Sequence, residues 1–276
     1  MERITDWVAL WRQLVEVRAL RHMQDAEPAG DAWRERARGF HRRVQERWSR
    51  PDSSRAFVLS QVDGDTTVLD IGAGTGSWAV LLAKKARHVT ALDSSPGMLE
   101  VLRDNAEAEG LDNVAVVQGA WPDAEVAMHD LSFCSHAMYG VADLPHFVRR
   151  MMDVTRRRCV LLMRAPLKDS VMAQAALRVW GQPHDSPNFV IAYNVLIQMG
   201  IYAHVLMEDT GAWGAWKNAS IEEAFTETKA KLGLFGPSEH DAYLRGLLEE
   251  HLTYQDGQWV WPPSMRSALV YWDVER

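Results

Sequence analysis

A glycine-rich loop between two aspartates is the segment of this sequence best suited to bind a ligand. Glycines stand at positions 72, 74 and 76, directly after the apolar run that carries Asp70 and directly before a helical pattern. Glycine permits positive φ angles and a close approach of backbone to ligand, and a helix start offers unpaired N–H donors. Asp93 ends a second apolar run 21 residues after Gly72, where its carboxylate can accept both hydroxyls of a ribose. The alternative is a tight turn with two capping aspartates.

Short apolar strands alternate with helices in the segment that contains this loop. The pattern predicts strands at 67–71, 88–92, 114–118, 131–135 and 160–163, separated by helices at 77–86, 96–109 and 143–156. Such alternation predicts an α/β fold with a parallel sheet covered on both faces, whose ligand crevice lies at the carboxyl ends of the strands. Arg156, Arg157 and Arg158 are predicted to close the third helix, because cations favour a helix C-terminus.

The flanking segments are predicted to be mainly helical. Helices are expected at 7–18, 32–48 and 53–61, with a break at 27–31. After residue 163 the patterns predict helices at 169–180, 188–199, 220–232 and 238–250, a strand at 201–207, a hairpin about Asp256-Gly257 and a last strand at 268–272. The predicted domains are a helical N-terminal cap, 1–60, and a Rossmann-like domain, 61–276, with substrate-cap insertions at about 165–200 and 208–265.

Three segments in combination resemble the class I S-adenosylmethionine-dependent methyltransferases. VLDIGAGTG, residues 68–76, resembles the first motif of that family, and HVTALDSSPGML, residues 88–99, resembles the second. DLSFCSH, residues 130–136, resembles the fourth-strand motif that faces the transferred methyl group, and WRERARGF, residues 33–40, resembles the N-terminal cap segment. The resemblance covers about residues 55–165. It implies a doubly wound, mostly parallel seven-stranded sheet with a final antiparallel strand, and S-adenosyl-L-methionine as the cofactor.

The resemblance also implies which residues hold the cofactor. Met98 is expected against the adenine. The family often has an acid directly after the glycine that ends the third strand, whereas Gly119 is followed here by Ala120 and Trp121. The adenine contacts stay open between backbone groups, Trp121 and Asp123. The expected cofactor-binding residues are Asp70, Gly72, Gly74, Gly76, Asp93, Ser94, Met98, Ala120, Trp121 and Ser135.

His136 and Tyr139 follow the fourth predicted strand, on the side expected to hold the methyl acceptor, and are the candidate catalytic residues. A general base needs a substrate proton within hydrogen-bond reach, and a structural histidine is the favoured alternative for His136. Residues 135–139 lack the Asn/Asp-Pro-Pro-aromatic tetrad that is typical of methyltransferases acting on base amines. The aromatic candidates for the substrate side are Trp33, Phe40, Tyr193, Tyr202, Trp213 and Trp216.

Composition and charge limit the possible partners. The 276 residues include 30 Lys and Arg against 37 Asp and Glu, a net charge of −7 that disfavours nucleic-acid binding. The basic run at 34–50 contains two glutamates, which favours a solvated helix face over an anion-binding patch. No H-x-H or H-E-x-x-H spacing occurs among the ten histidines, so no metal is expected.

Two further features of the sequence indicate where in the cell the protein is expected. Cys134 and Cys159 are predicted to be core thiols too far apart for a disulfide, and no signal peptide precedes the charged start, which favours the cytoplasm. Residues 186–207 carry no formal charge but include a proline, two asparagines and a glycine. These residues favour a buried helix followed by a buried strand over a membrane span.

The function expected from these features is methyl transfer from S-adenosyl-L-methionine to a small-molecule acceptor. Protein methylation and a non-catalytic cofactor-binding sensor are the alternatives. An NAD- or NADP-dependent oxidoreductase is disfavoured, because dinucleotide folds use G-x-G-x-x-G and the glycines here occupy every second position. The acceptor atom and the oligomeric state stay open.

Overall fold

The computed structural model describes residues 5–24, 31, 33, 36–208, 213 and 215–275. Its largest element is a seven-stranded sheet, accompanied by a small three-stranded one. The strands are β1 Thr67–Ile71, β2 His88–Asp93, β3 Val114–Gln118, β4 His129–Ser135, β5 Thr155–Pro166, β6 His204–Met207, β7 Lys217–Asn218, β8 Thr253–Gln255, β9 Gln258–Val260 and β10 Met265–Asp273.

The large sheet has the strand order β3-β2-β1-β4-β5-β10-β6. Strands β1 to β5 pair in parallel, whereas β10 runs antiparallel to both β5 and β6. All five residues of β1 are buried, as expected for a central strand covered on both faces. The strand order reverses between β1 and β4, so the crevice at their carboxyl ends is the topological switch point of the sheet. The predicted doubly wound sheet with a final antiparallel strand is confirmed.

Helices cover both faces of this sheet. In the described part of the chain they are α1 Trp7–Gln24, α2 Ala37–Trp48, α3 Ser53–Ser60, α4 Ser77–Ala83, α5 Pro96–Ala108, α6 Leu144–Asp153, α7 Val171–Trp180, α8 Phe189–Gln198, α9 Ile221–Lys231 and α10 Asp241–His251, with a short 3₁₀ turn at Met138–Gly140. One hydrophobic core joins one face of the sheet to α1, α6 and α8, and another joins the opposite face to α3, α4 and α5.

A third hydrophobic cluster lies apart from the sheet and contains residues of α7, α9 and α10. Strands β7, β9 and β8 form a small antiparallel sheet beside it. The hairpin predicted about Asp256-Gly257 is confirmed, since both turn residues have positive φ angles of 51° and 78°. Strand β7 has only two residues and carries no alternating pattern, and the sequence did not predict it.

The boundary between α6 and β5 differs from the prediction. Helix α6 ends at Asp153, and residues 155–158 belong to β5. The buried Thr155 hydroxyl donates to the Met151 carbonyl at 2.6 Å, which satisfies a carbonyl at the end of α6. Arg158 forms an ion pair with Asp273 of β10 at 2.7 Å. Tertiary pairing thus places the arginines in a strand, and the prediction that they close the helix is wrong.

The smaller expectations about single segments have different outcomes. Strand β6 is largely exposed because it pairs with β10 alone at the sheet edge, so the prediction of a buried strand there is wrong. Cys134 and Cys159 are buried free thiols, as predicted, and Cys159 lies opposite Ser132 in the register. The start of the helix predicted at 32–48 lies partly outside the described residues, as does the predicted break, of which only Asp31 is described. No helix of the described residues is long and apolar enough to cross a membrane.

Candidate active site

The loop between β1 and α4 contains the three glycines and lies at the switch point of the sheet. Gly72, Gly74 and Gly76 have φ angles of 72°, 55° and 79°, a region that favours glycine. The N–H groups of Gly72 and Ala73 both donate to the Leu92 carbonyl of β2, at 2.8 and 2.9 Å. The loop is therefore held against the end of β2, next to Asp93.

The three glycines face different surroundings. A Cβ atom on Gly72 would lie 2.1 Å from the Cβ of Ala137, and a Cβ on Gly76 would lie 2.6 Å from the Leu102 side chain. These two positions need glycine because neighbouring protein atoms approach closely. A Cβ on Gly74 would meet no atom within 4 Å among those described, which leaves this position open to a ligand.

Asp93 is the last residue of β2 and is bound by two backbone groups. One carboxylate oxygen accepts the Gly74 N–H and the other accepts the Ser95 N–H, both at 2.9 Å. Each oxygen has a further lone pair. Ser95 caps α5 by accepting the Met98 N–H at 3.1 Å, and Pro96 occupies the first helical position. Asp93 is thus fixed in orientation while it keeps acceptor capacity for two hydroxyl groups.

Asp70 lies within β1 and is buried, with one carboxyl oxygen that has no hydrogen-bond partner among the described residues. Burial, followed by the charge of Asp93, raises the pKa of Asp70 to about 7. An unpaired buried acceptor beside an open glycine position is a site for a ligand group that donates hydrogen bonds or carries positive charge.

Asp31 and helix α2 contact the elements around this loop. The Asp31 carboxylate accepts the Ser95 hydroxyl at 2.7 Å and the Gly97 N–H at 2.6 Å, at the start of α5. Nδ1 of His41 lies 3.2 Å from the Thr75 hydroxyl in the glycine loop. These contacts attach the N-terminal segment directly to the elements that carry Asp93 and the glycines.

The residues expected near an adenine lie in two places. Met98 is buried in a small cluster with Ala37 and Val101, against which Phe40 packs. The Trp121 indole N–H donates to the Phe147 carbonyl of α6 at 3.3 Å, and the indole ring contacts the Phe147 ring edge-on at 6.1 Å. Met98 therefore lies under helix α2, whereas Trp121 is held against α6.

The second half of the site follows β4. His136 has a φ angle of 56°, and Nδ1 of its ring lies 3.1 Å from the Tyr139 hydroxyl, which accepts the Arg164 backbone N–H at 2.6 Å. The Trp213 ring contacts the His136 ring edge-on at 5.2 Å. Because Gly72 touches Ala137, this group lies directly beside the glycine loop.

Burial sets the protonation of His136 and Tyr139. Burial, together with the charges of Arg164 and Arg47, lowers the pKa of His136 to about 3. Burial raises the pKa of Tyr139 to about 12. The Tyr139 oxygen already accepts one N–H, so its own O–H is the group left to donate to Nδ1 of His136. The histidine proton then lies on Nε2, which makes His136 a hydrogen-bond donor toward a ligand.

The other expected residues are more scattered. Ser94 and Ala120 are exposed beside Asp93 and Gly119, and Ser135 ends β4. Trp33 is 43% exposed and contacts Phe40 edge-on. The structure places the remaining three aromatic candidates elsewhere: the Tyr193 hydroxyl donates to the Ala203 carbonyl, Tyr202 is 82% exposed, and the Trp216 indole N–H donates to Glu227.

Sequence reasoning missed three residues of this region: Asp31, Arg47 and Arg164. Arg164 is a single charge in the otherwise apolar run 159–165 of β5, and such a charge near the carboxyl end of a buried strand was a usable signal. Asp31 and Arg47 act across contacts distant in sequence, for which the sequence carries no local pattern.

The comparisons with known proteins agree with this geometry. A family model described as a methyltransferase domain matches residues 68–158. An uncharacterized protein of Haemophilus influenzae is 27% identical over 222 residues, 78% of this chain and 79% of the relative. A malonyl-[acyl-carrier protein] O-methyltransferase of Serratia marcescens is 31% identical over 149 residues, 51% of this chain and 55% of that relative. The chain thus matches about half the length of the Serratia marcescens enzyme.

A likeness of fold extends beyond the matched domain. The crystal structure of the YcgJ protein from Bacillus subtilis superposes with a TM-score of 0.53 at 17% identity, covering 81% of this chain and 98% of that one.

The residues of the first half-site fit S-adenosyl-L-methionine. This cofactor carries a ribose, which needs acceptors of the kind that Asp93 offers, and positive charge, which the unpaired oxygen of Asp70 can compensate. Gly74 leaves space for its approach. Residues 68–158 of the chain match the methyltransferase-domain family, and the described sheet has the strand order that the resemblance to class I S-adenosylmethionine-dependent methyltransferases implied.

Proposed function

We propose that this protein transfers the methyl group of S-adenosyl-L-methionine to a small-molecule acceptor held between the ends of β4 and β5 and helix α2. The cofactor supplies an electrophilic methyl group on a sulfonium, so the protein must mainly orient the acceptor and exclude water. Orientation alone can contribute about 7–11 kcal/mol to lowering a barrier.

One observation carries the proposal of a small acceptor: helix α2 contacts both halves of the site. His41 of α2 reaches Thr75 in the glycine loop, and the Arg47 guanidinium lies 4.9 Å from the centre of the Trp213 ring on the acceptor side. A helix that contacts both halves covers part of the region between them. Such a cover favours a small molecule over a folded protein as the methyl acceptor.

The chain's own residues have separate roles in this proposal. Asp93 binds the ribose hydroxyls, Asp70 faces the positive charge of the cofactor, and Gly74 allows its close approach. His136 orients the acceptor through Nε2–H and removes no proton, because its other nitrogen is bound by Tyr139 and its pKa is about 3. A base with so low a pKa contributes little near neutral pH.

The Serratia marcescens relative supports a small acceptor group. Its name describes O-methylation of a malonyl group on acyl-carrier protein, which is a small acyl chain presented by a carrier. The acceptor of the present protein is proposed to be of similar size, either free or attached to a carrier.

The experiment that tests the proposal is a labelling assay in a cell extract. Purified protein is incubated with S-adenosylmethionine that carries an isotopic label on the methyl group, and the products are separated into small molecules and macromolecules. Label in the small-molecule fraction, or on an acyl group that can be cleaved from its carrier, is the expected result, and it should be absent with the Asp93→Ala variant. Label on polypeptide side chains would replace the proposal with protein methylation. Cofactor binding without any labelled product would favour a sensor.

A further inference from the structure

Two arginine side chains flank His136 on the acceptor side. The Arg164 guanidinium of β5 lies 4.0 Å from the centre of the Tyr139 ring. The Arg47 guanidinium of α2 lies over the Trp213 ring, which in turn contacts His136. Both positive charges act on the His136 ring and lower its pKa. Arg47, Trp213, His136, Tyr139 and Arg164 therefore form one continuous group, which we call the arginine–aromatic cluster.

The charge of this cluster is not neutralised within the described part of the chain. Neither Arg47 nor Arg164 forms an ion pair with a described carboxylate within 4 Å. Arg164 donates to the Pro187 carbonyl at 3.3 Å, and its buried Nε donates to no atom of the described residues. The negative charge of Glu208 raises the pKa of Arg47, and the positive charge of Arg43 lowers it.

Some arginines of the described residues have carboxylate partners: Arg158 is paired with Asp273 and Arg245 with Glu222. The whole chain carries a net charge of −7. An acidic protein that leaves two guanidiniums without such partners at one edge of its sheet creates a local positive field there. Partial desolvation lowers the pKa of Arg47. The negative charge of a bound anion would raise this pKa again.

We propose, on the basis of the proposed function, that the methyl acceptor carries an oxyanion, a carboxylate or a phosphate, which binds Arg164 and Arg47 in the arginine–aromatic cluster. The guanidinium fork matches the paired oxygens of both groups. Nε2–H of neutral His136 supplies a third donor, and the Trp213 ring forms an apolar wall for the carbon skeleton. The sequence pattern favoured a solvated face for the basic run 34–50, and Arg47 departs from that interpretation because its guanidinium packs on the Trp213 ring.

The competing explanation is that the arginines only pack on aromatic rings. Cation–π contacts of this kind are common and need no ligand. The two explanations differ in one measurable property: only an anion site discriminates a carboxylate from an amide of the same shape.

The test uses three probes that share a fluorinated ring and differ in charge: 4-fluorobenzoate, 4-fluorophenyl phosphate and 4-fluorobenzamide. Their binding to the full chain is followed by ¹⁹F NMR, with and without S-adenosylhomocysteine. At least one anion is expected to bind about tenfold or more tightly than the neutral amide, and the stronger of the two identifies the acceptor group. Arg164→Gln and Arg47→Gln should each weaken that binding about tenfold or more.

The matched control is Arg178→Gln, since Arg178 also lies over an aromatic ring, Tyr243, at 5.5 Å, on α7. Its anion binding is expected to equal that of the wild type. Arg47 is exposed on α2, so its variant folds even if loss of Arg164 disturbs β5, and Arg164→Lys retains the charge. Equal binding of amide and anions, or anion binding that survives Arg47→Gln, overturns the proposal.

Failure of this proposal is distinguishable from failure of the proposed function. The probes need no cofactor, and S-adenosylhomocysteine affinity is measured on the same samples. Normal S-adenosylhomocysteine binding with no preference for anions refutes the anion site alone. Anion binding without any S-adenosylhomocysteine binding refutes the proposed function alone.

Discussion

The Tyr139 hydroxyl lies 3.1 Å from Nδ1 of His136 and accepts the Arg164 backbone N–H at 2.6 Å. This single oxygen connects the turn after β4 to strand β5. It also holds His136 in a left-handed backbone conformation that costs energy for a residue with a side chain. We therefore expect Tyr139, three residues after His136, to influence the acceptor side without contacting the cofactor.

Tyr139→Phe is expected to lower the free energy of unfolding by about 1–3 kcal/mol, because the buried Arg164 N–H loses its acceptor. Affinity for S-adenosylmethionine should stay within about twofold, while methyl transfer falls. Chemical denaturation and calorimetry measure the two quantities. Tyr202→Phe is the control, since that side chain is 82% exposed. Loss of cofactor affinity in Tyr139→Phe would show that the two halves of the site are assigned wrongly.

Asp70 is expected to make cofactor affinity dependent on pH. Its pKa of about 7 in the cofactor-free protein, caused by burial and by Asp93, means that binding of a cationic ligand must release a proton at lower pH. If only the ionised form binds, affinity rises about fiftyfold between pH 5 and pH 7, below the range in which α-amino groups titrate. Calorimetry across this range should detect the change, and Asp70→Asn should bind weakly at every pH.

Asp70 should also make the stability of the cofactor-free protein depend on pH, but in the opposite direction: stability falls as the pH rises, whereas cofactor affinity increases. The folded pKa of Asp70 exceeds the unfolded value of about 3.9, so the folded state holds the proton more tightly. The resulting stabilisation is complete below the unfolded pKa and is lost as the pH rises through about 7. Denaturant unfolding should show a decline over this interval that is smaller in Asp70→Asn. A parallel decline in both proteins would assign the pH dependence to other groups.

Asp31 is predicted to hold the N-terminal segment over the cofactor site. Its carboxylate accepts two hydrogen bonds at the start of α5, where the helix dipole also favours a negative charge. Asp31→Ala should speed hydrogen exchange in α2 and weaken cofactor affinity. Asp104→Ala removes an exposed ion pair between Arg38 of α2 and α5 and should have little effect, because exposed pairs contribute about 0–1 kcal/mol.

Cofactor binding should slow hydrogen exchange in α2 of the wild type. Unchanged exchange in residues 37–48 at cofactor saturation would mean that the segment is a fixed packing element. If Asp31→Ala and Asp104→Ala change hydrogen exchange in α2 and cofactor affinity equally, the prediction that Asp31 holds the N-terminal segment in place is contradicted.

The sequence predicted where the glycine loop, Asp70 and Asp93 lie in the fold because these signals are local. The glycines, Asp70 and Asp93 lie within 24 residues, and the strand–loop–helix pattern around them places them at one edge of the sheet. The acceptor half depends on contacts between β4, β5, α2 and residue 213, which are separated by up to 166 positions. No periodicity links Arg47 to Trp213, so neither their contact nor their position relative to Arg164 could be predicted.

The wrong prediction that the arginines at 156–158 close a helix has a similar cause. Residues 156–158 are charged and follow a helical pattern, which favours a helix end when only neighbours in sequence are considered. Their pairing with β10 is what makes them a strand: Arg158 lies opposite Asp273, 115 positions away. Edge and end positions of strands depend on such partners more than on local propensity.

Asp93→Ala should weaken S-adenosylmethionine binding by roughly ten- to several-hundredfold, because charge-assisted hydrogen bonds to the ribose contribute about 1.5–3 kcal/mol each. Asp93→Asn should weaken S-adenosylmethionine binding less. Removing this charge also removes one cause of the raised pKa of Asp70, so the pH dependence of binding should move to lower pH. Calorimetry at several pH values measures both effects. Wild-type affinity in Asp93→Ala would place the ribose elsewhere.

Gly74→Val separates the ligand role of the loop from its folding role. A Cβ at residue 74 meets no described protein atom within 4 Å, so the valine fits the folded protein apart from the strain of its positive φ angle of 55°. The branched side chain would occupy the space through which the cofactor approaches. The variant is expected to fold and to lose S-adenosylmethionine binding.

Two further substitutions make this prediction specific. Gly110→Val imposes the same kind of strain, at a φ angle of 65° and also with open space around the new Cβ, but lies beyond the end of α5; it should match the stability loss of Gly74→Val and bind the cofactor normally. Gly72→Ala places a Cβ 2.1 Å from that of Ala137, so it should destabilise the protein more than its small size implies. Thermal unfolding and calorimetry on the three variants provide the comparison. Retention of cofactor affinity within about threefold in Gly74→Val would mean that the loop does not contact the ligand, because a side chain in the ligand's path costs far more than backbone strain alone.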